Sequence, residues 1–201
     1  MVGLTSWIAV VLIFAASLAL FIVSDWRWSL ASLALLYLGV FWLTQIHWTL
    51  SMAAVKLVTG WMVATILGIT RAALDPKPDS PAEQSWWQGR VFRVFTATLI
   101  VLLVLSASPV IVQILPGIGL AEVSGSLILM AMGLLLLGLT TEPLRVVIGL
   151  LAFLAGFEII YAAVENAILV AALLALINLG LALVGSYLLL AGTETKAGVS
   201  E

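Results

Sequence analysis

VVIGLLAFLAGFEIIYAAV, residues 146–164, is an almost unbroken apolar run with a single carboxylate, Glu158, set well inside it. As a helix, a run of this length rises about 28 Å, close to the thickness of a bilayer's hydrocarbon core. Its flanks repeat the pattern. Before it stands the polar break Thr140-Thr141-Glu142-Pro143-Leu144-Arg145, and before that an apolar run from Val123, with Gly133 to Leu139 at its end. After it, a Glu165-Asn166 turn opens a third run that carries Asn178 and Gly180-Leu181-Ala182-Leu183 and ends at Ala191. An ionisable side chain inside a membrane helix costs about 3 to 17 kcal/mol. The reading therefore turns on Glu158 and on what faces it.

The composition agrees with these three runs. With 64% hydrophobic residues, 9% charged residues and a mean hydropathy of +1.26, the chain departs from soluble domains, which carry roughly 25% charged residues. The 201 residues suit a bundle of spanning helices at about 20 residues each. The absence of cysteine excludes disulfides, thiolate metal sites and a cysteine nucleophile. A net charge of −2 gives no reason to expect a nucleic-acid partner. The expected class is all-α: a polytopic membrane helical bundle of about seven transmembrane helices.

Three spans precede the long polar segment, in a three-helix membrane segment over 1–70. Trp7 to Ser24 lacks a basic leader and a small-residue cleavage site, so it reads as a retained helix. Asp25-Trp26-Arg27-Trp28 is a turn, followed by a span over Ser29–Leu43, the turn Gln45-Ile46-His47-Trp48, and a span over Leu50–Ile69 containing Lys56. Residues 71–91 form a polar loop in which Pro76, Pro78 and Pro81 stop helix formation. Trp26, Trp28, Trp86, Trp87, Arg90 and Arg93 are expected to anchor the helix ends at the interface. A fourth helix and its outer turn occupy 92–122, with Pro109 expected to kink the helix. The three-helix unit over 123–192 follows, and 193–201 is a polar tail.

Basic residues orient this set. If the 71–91 loop is cytoplasmic, Arg27, Arg145 and Lys196 fall on the same side, while His47, Glu122 and Glu165 fall opposite with no lysine or arginine. The positive-inside rule then puts the N-terminus out and the C-terminus in, a distribution that six or eight spans would spoil.

Three polar side chains sit inside spans: Lys56, Glu158 and Asn178. Lys56 and Glu158 each lie about six residues, or about 9 Å, below the outer boundary. Matching depth and opposite charge suit an ion pair. The alternative is a lysine that snorkels along its stem while the glutamate meets interfacial or lumenal water. Asn178 belongs to a small-residue stripe with Ala171, Ala175, Ala182 and Gly185, which suits close helix packing and an amide bonded across the contact; membership of a proton relay is its other role. Gly149, Ala152 and Gly156 form a second packing stripe, on a different face from Glu158, which shares its own with Leu151, Ala155, Ala162 and Glu165. His47 is a loop residue with no second ligand near it in sequence, and Gly117 to Gly119 is a turn without the context of a nucleotide site. No metal site, cofactor site or catalytic set is expected within this chain alone.

The run Leu134–Leu139, the turn ending in Arg145, Val147-Ile148-Gly149-Leu150 and Gly180-Leu181-Ala182-Leu183 resemble the K subunit (chain 4L) of respiratory complex I. They are also similar to the C subunit of Mrp-type antiporters and the E component of hydrogenase-4-type membrane complexes. The E component also has about 200 residues, extra N-terminal helices and a lysine in its third helix, where Lys56 stands. The chain departs from the family pattern at two places. Leu150 and Leu151 occupy the region of an early glutamate in the second of these helices, and Leu176 the position of an acid in the third.

The resemblance implies a non-catalytic subunit of an ion-translocating redox or antiporter complex, related to NADH/quinone oxidoreductases or hydrogenases. Its partners would be lipid and antiporter-like and K-like neighbours, in a bacterial or archaeal cytoplasmic membrane. Glu158, Lys56 and Asn178 are the relay candidates left by the departures. A self-standing transporter or channel, and an accessory scaffold without ion transfer, are the alternatives.

Overall fold

The computed structural model describes residues 2–23, 25–74, 86–115, 117–165 and 167–197. These form seven α-helices and no strand: α1 (Val2–Ile22), α2 (Trp26–Thr44), α3 (Leu50–Ala73), α4 (Trp86–Ile114), α5 (Leu120–Leu139), α6 (Pro143–Val164) and α7 (Ile168–Ala197). All seven are long and apolar enough to cross a membrane. The middle of the 71–91 loop, including Pro76, Pro78 and Pro81, lies outside the described residues, as do 198–201 and the side chains of Trp86, Trp87, Arg90 and Lys196.

Local chemistry sets several helix ends. The Asp25 carboxylate accepts the Arg27 amide at 2.9 Å and caps α2, so the expected Trp26–Trp28 turn is the first turn of that helix. The Glu122 carboxylate folds back on the Gly119 amide at 3.0 Å and starts α5. Pro143 opens α6, where its missing amide costs nothing. Pro109 sits inside α4, and the helix runs through it to Ile114. At the other end of the chain, α7 continues from Thr193 to Ala197, where the polar tail was expected. No proline or glycine intervenes before Gly198, so the backbone has no reason to leave the helix at the membrane surface.

Six helices form a closed ring in the order α1, α2, α3, α7, α6, α5, with α2 and α6 also touching across its middle. α4 lies outside the ring against α5 and α1, and is the least buried of the seven. One apolar core draws side chains from every helix, among them Ile13, Leu36, Val63, Val104, Leu129, Leu151 and Ala182. The 1–70 and 123–192 segments therefore share a single core. α7 packs against α3 as well as α6.

The closest packing is between α5 and α6. A Cβ at Gly133 would meet the Phe153 nitrogen at 2.7 Å and the Gly149 oxygen at 2.8 Å, so only glycine permits this backbone approach. One turn pair further along, Gly156 sits over the Ser126 carbonyl, and the Ser126 hydroxyl donates to the Gly156 carbonyl at 2.6 Å. Most other hydroxyls turn back on their own helix, as Ser17 does to Ile13 and Thr44 to Val40. That habit satisfies them where water is absent.

Candidate functional site: a buried polar cluster in the bundle

The buried face of α3 runs Ala53, Lys56, Thr59, Gly60, Val63 and Leu67. Lys56 is its one charged member, and both it and Glu158 have 0% exposure. The Lys56 ammonium donates to Glu158 Oε1 at 2.5 Å. The pair replaces the snorkelling geometry that the sequence left open: the ring places α3 and α6 so that both stems point inward at one depth. From α7, the Asn178 amide donates to the same oxygen at 3.0 Å. Asn178 thus packs within its small-residue stripe and bonds the glutamate at once, with Ala175 and Ala182 buried on either side of it.

The carboxylate is used unevenly. Oε1 accepts two donors, whereas Oε2 is buried with no hydrogen-bond partner among the described residues. Asn178 Oδ1 and the Tyr37 hydroxyl share that condition. Tyr37, on α2, is fully buried and within electrostatic reach of Glu158. Its ring lies over Gly60, one turn along α3 from Lys56, where a Cβ would overlap it. The site thus draws on α2, α3, α6 and α7: an ammonium, a carboxylate, an amide and a phenol inside an apolar bundle.

Chemically, such a set holds one charge pair and offers a free carboxylate oxygen. Burial favours the neutral forms of both ionisable groups, and their contact favours the charged ones. Opposing influences of this kind let the protonation of a carboxyl follow a change in its surroundings.

No protein-family model, curated protein or solved structure matches this chain.

The other expected residues fall elsewhere. Gly149, Ala152 and Gly156 line the α5–α6 contact, and Gly185 packs on Val147 and Leu67 between α6 and α3. Among the anchors, Trp28 is 66% exposed, Trp26 lies beneath the Arg27 guanidinium, and Arg93 reaches the Phe21 carbonyl at the end of α1. Among the described residues, no group of three or more histidine and acidic side chains is placed to hold a metal ion.

His47 is not the isolated loop residue expected. Its Nε2 lies 2.7 Å from Glu122 Oε2 and ties the α2–α3 turn to the start of α5. Beside it, the Trp48 indole donates to the Glu165 carbonyl at 3.2 Å. Tyr37 was also missed. Its only signal was a lone phenol inside a span at the depth of Lys56, which apolar counting treats as core.

Proposed function

We propose that the chain is a non-catalytic integral membrane subunit of a multisubunit proton-translocating complex of redox or antiporter type, and that Glu158 passes protons within it. The Lys56–Glu158–Asn178 cluster carries the reading, because a fully buried ion pair is an expensive way to hold helices together. The free Glu158 Oε2 is where a proton is taken up. Its arrival converts the carboxylate to the acid and leaves the Lys56 ammonium as the single charge; its departure restores the neutral pair.

Three further observations support this reading. The glutamate faces helices of its own chain rather than lipid, which a bare scaffold would not need. Arg93 and Arg145 both reach the end of α1, so these basic residues gather at one end of the bundle, the end the proposal assigns to the cytoplasm. The resemblance to the K-type and hydrogenase E-type subunits adds antiporter-like neighbours as partners. Leu176, which stands where that pattern has an acid, is exposed on the outer face of α7, so the route here runs through Glu158 alone.

Two experiments divide the proposal. Purification in gentle detergent through a C-terminal tag, with mass spectrometry of what accompanies the chain, is expected to bring antiporter-like and iron–sulfur or hydrogenase-like subunits. A lone homo-oligomer would remove the complex from the reading. In the assembled complex, Glu158→Gln is expected to abolish coupled proton pumping while assembly persists, and unchanged pumping would end the relay. A second reading, a self-standing proton carrier, is favoured by one observation: every group of the cluster comes from this one chain. Proton flux through vesicles holding only the purified chain would establish it.

A further inference from the structure

A second polar feature lies at the end of the bundle where α1 and α5 finish and α4 and α6 begin. There a pocket of about 340 Å³ is lined by Phe21, Arg93, Leu136, Leu139, Thr140, Glu142 and Arg145. That volume is at the lower end of the range of small-molecule sites. Arg145 is built in: its side chain is only 14% exposed, its NH2 group donates to the Val23 carbonyl at 2.6 Å, and its Nε meets Glu142 Oε2 at 3.3 Å. Arg93 donates to the Phe21 carbonyl at 3.5 Å. These bonds close carbonyls that the end of α1 leaves open and fix both guanidiniums at the pocket wall. The two cations are near enough to repel one another. Among the described residues Glu142 is the one carboxylate of the lining and is half exposed, so they give the pocket an excess of positive charge.

We propose that this pocket binds the phosphate of an anionic phospholipid. A guanidinium has five N–H donors in a planar fork suited to phosphate oxygens, and the bonds to α1 occupy only some of them. Two such groups converging on one opening call for an anion. The remaining walls say which kind. Phe21, Leu136 and Leu139 are apolar, and they sit where spanning helices end, at the level of lipid headgroups and the first acyl carbons. A free phosphate would use the arginines and leave those walls idle, whereas a phospholipid uses both. Basic pockets between spanning helices commonly take anionic headgroups. The occupant joins α1, α4, α5 and α6 at one end and neutralises the repulsion between Arg93 and Arg145. This assignment does not depend on the role of Glu158.

Native mass spectrometry and thermal unfolding of the purified chain in detergent test it, with phosphatidylglycerol, phosphatidylcholine or inorganic phosphate added. The wild type is expected to bind phosphatidylglycerol about tenfold more tightly than phosphatidylcholine, a difference of about 1.4 kcal/mol, and to melt higher with it. The Arg93→Gln/Arg145→Gln variant is expected to lose that preference. Because this variant also loses the bonds to α1, Leu139→Glu is the companion. It puts a carboxylate at the pocket mouth, leaves both arginines in place, and is expected to lose the preference while folding normally. Equal retention of the two lipids by the wild type, or an undiminished preference in Leu139→Glu, would overturn the assignment. Protection by inorganic phosphate equal to that by phosphatidylglycerol would also overturn it, since the apolar walls would then have no part.

Discussion

Lys56 and Glu158 hold each other in a place where an ion without a partner is costly. Removing one partner of a buried pair leaves the other charge without compensation, at a cost of about 3–5 kcal/mol, whereas replacing both by apolar groups is often neutral. Lys56→Met and Glu158→Leu are each expected to lower the melting point in detergent sharply. The Lys56→Met/Glu158→Leu double variant is expected to recover most of the loss. A double variant as unstable as the sum of the singles would show that the two side chains are not energetically coupled. Their common depth was legible in the sequence, because depth follows from counting residues at a fixed rise per residue. Their contact was not, because it requires knowing which helices are neighbours and how each is rotated. For the same reason Asn178 could be placed on a packing stripe but not on the carboxylate, and His47 could not be matched to Glu122, 75 residues away.

The helices themselves were easier to read than their meetings. Apolar runs broken by Asp25, His47, the polar segment 71–91, Pro116-Gly117, Glu142-Pro143 and Glu165-Asn166 mark seven spans, and the structure has seven. The ends were less legible, since α3, α4 and α7 continue past the apolar stretch on residues that tolerate helix in water. Among the packing contacts, α5 offers an internal comparison. At Gly133 a Cβ would press on the backbone of α6, whereas at Gly138 it would meet nothing within 4 Å. Gly133→Ala is therefore expected to destabilise by about 1–3 kcal/mol through forced separation of α5 and α6. Gly138→Ala is expected to stabilise by about 0.5–1 kcal/mol, because alanine loses less backbone freedom in a helix. Chemical or thermal unfolding of the two variants side by side checks both signs, and equal effects would mean that the α5–α6 contact is looser than drawn here.

At the scale of the whole molecule, six helices close a ring around a shared core, and the chain crosses from one end to the other at each turn. The absence of cysteine makes its orientation directly measurable. Single cysteines at Asp25 and Glu142 are expected to react with a membrane-impermeant maleimide only from the cytoplasmic side, and cysteines at His47 and Glu165 only from the outer side. The reverse pattern would invert the proposed topology. The ring also imposes an order in time. Lys56 and Glu158 are separated by 102 residues, so a ribosome adding about 5–20 residues per second adds Lys56 about 5–20 s before Glu158 exists. For that interval the growing chain carries an unpartnered ammonium on a helix otherwise fit for lipid. Until α6 arrives, leaning along its stem toward the headgroups is how that lysine can spare itself the apolar layer; the pair that looks static in the finished bundle is, during synthesis, a place the third helix holds open for the sixth.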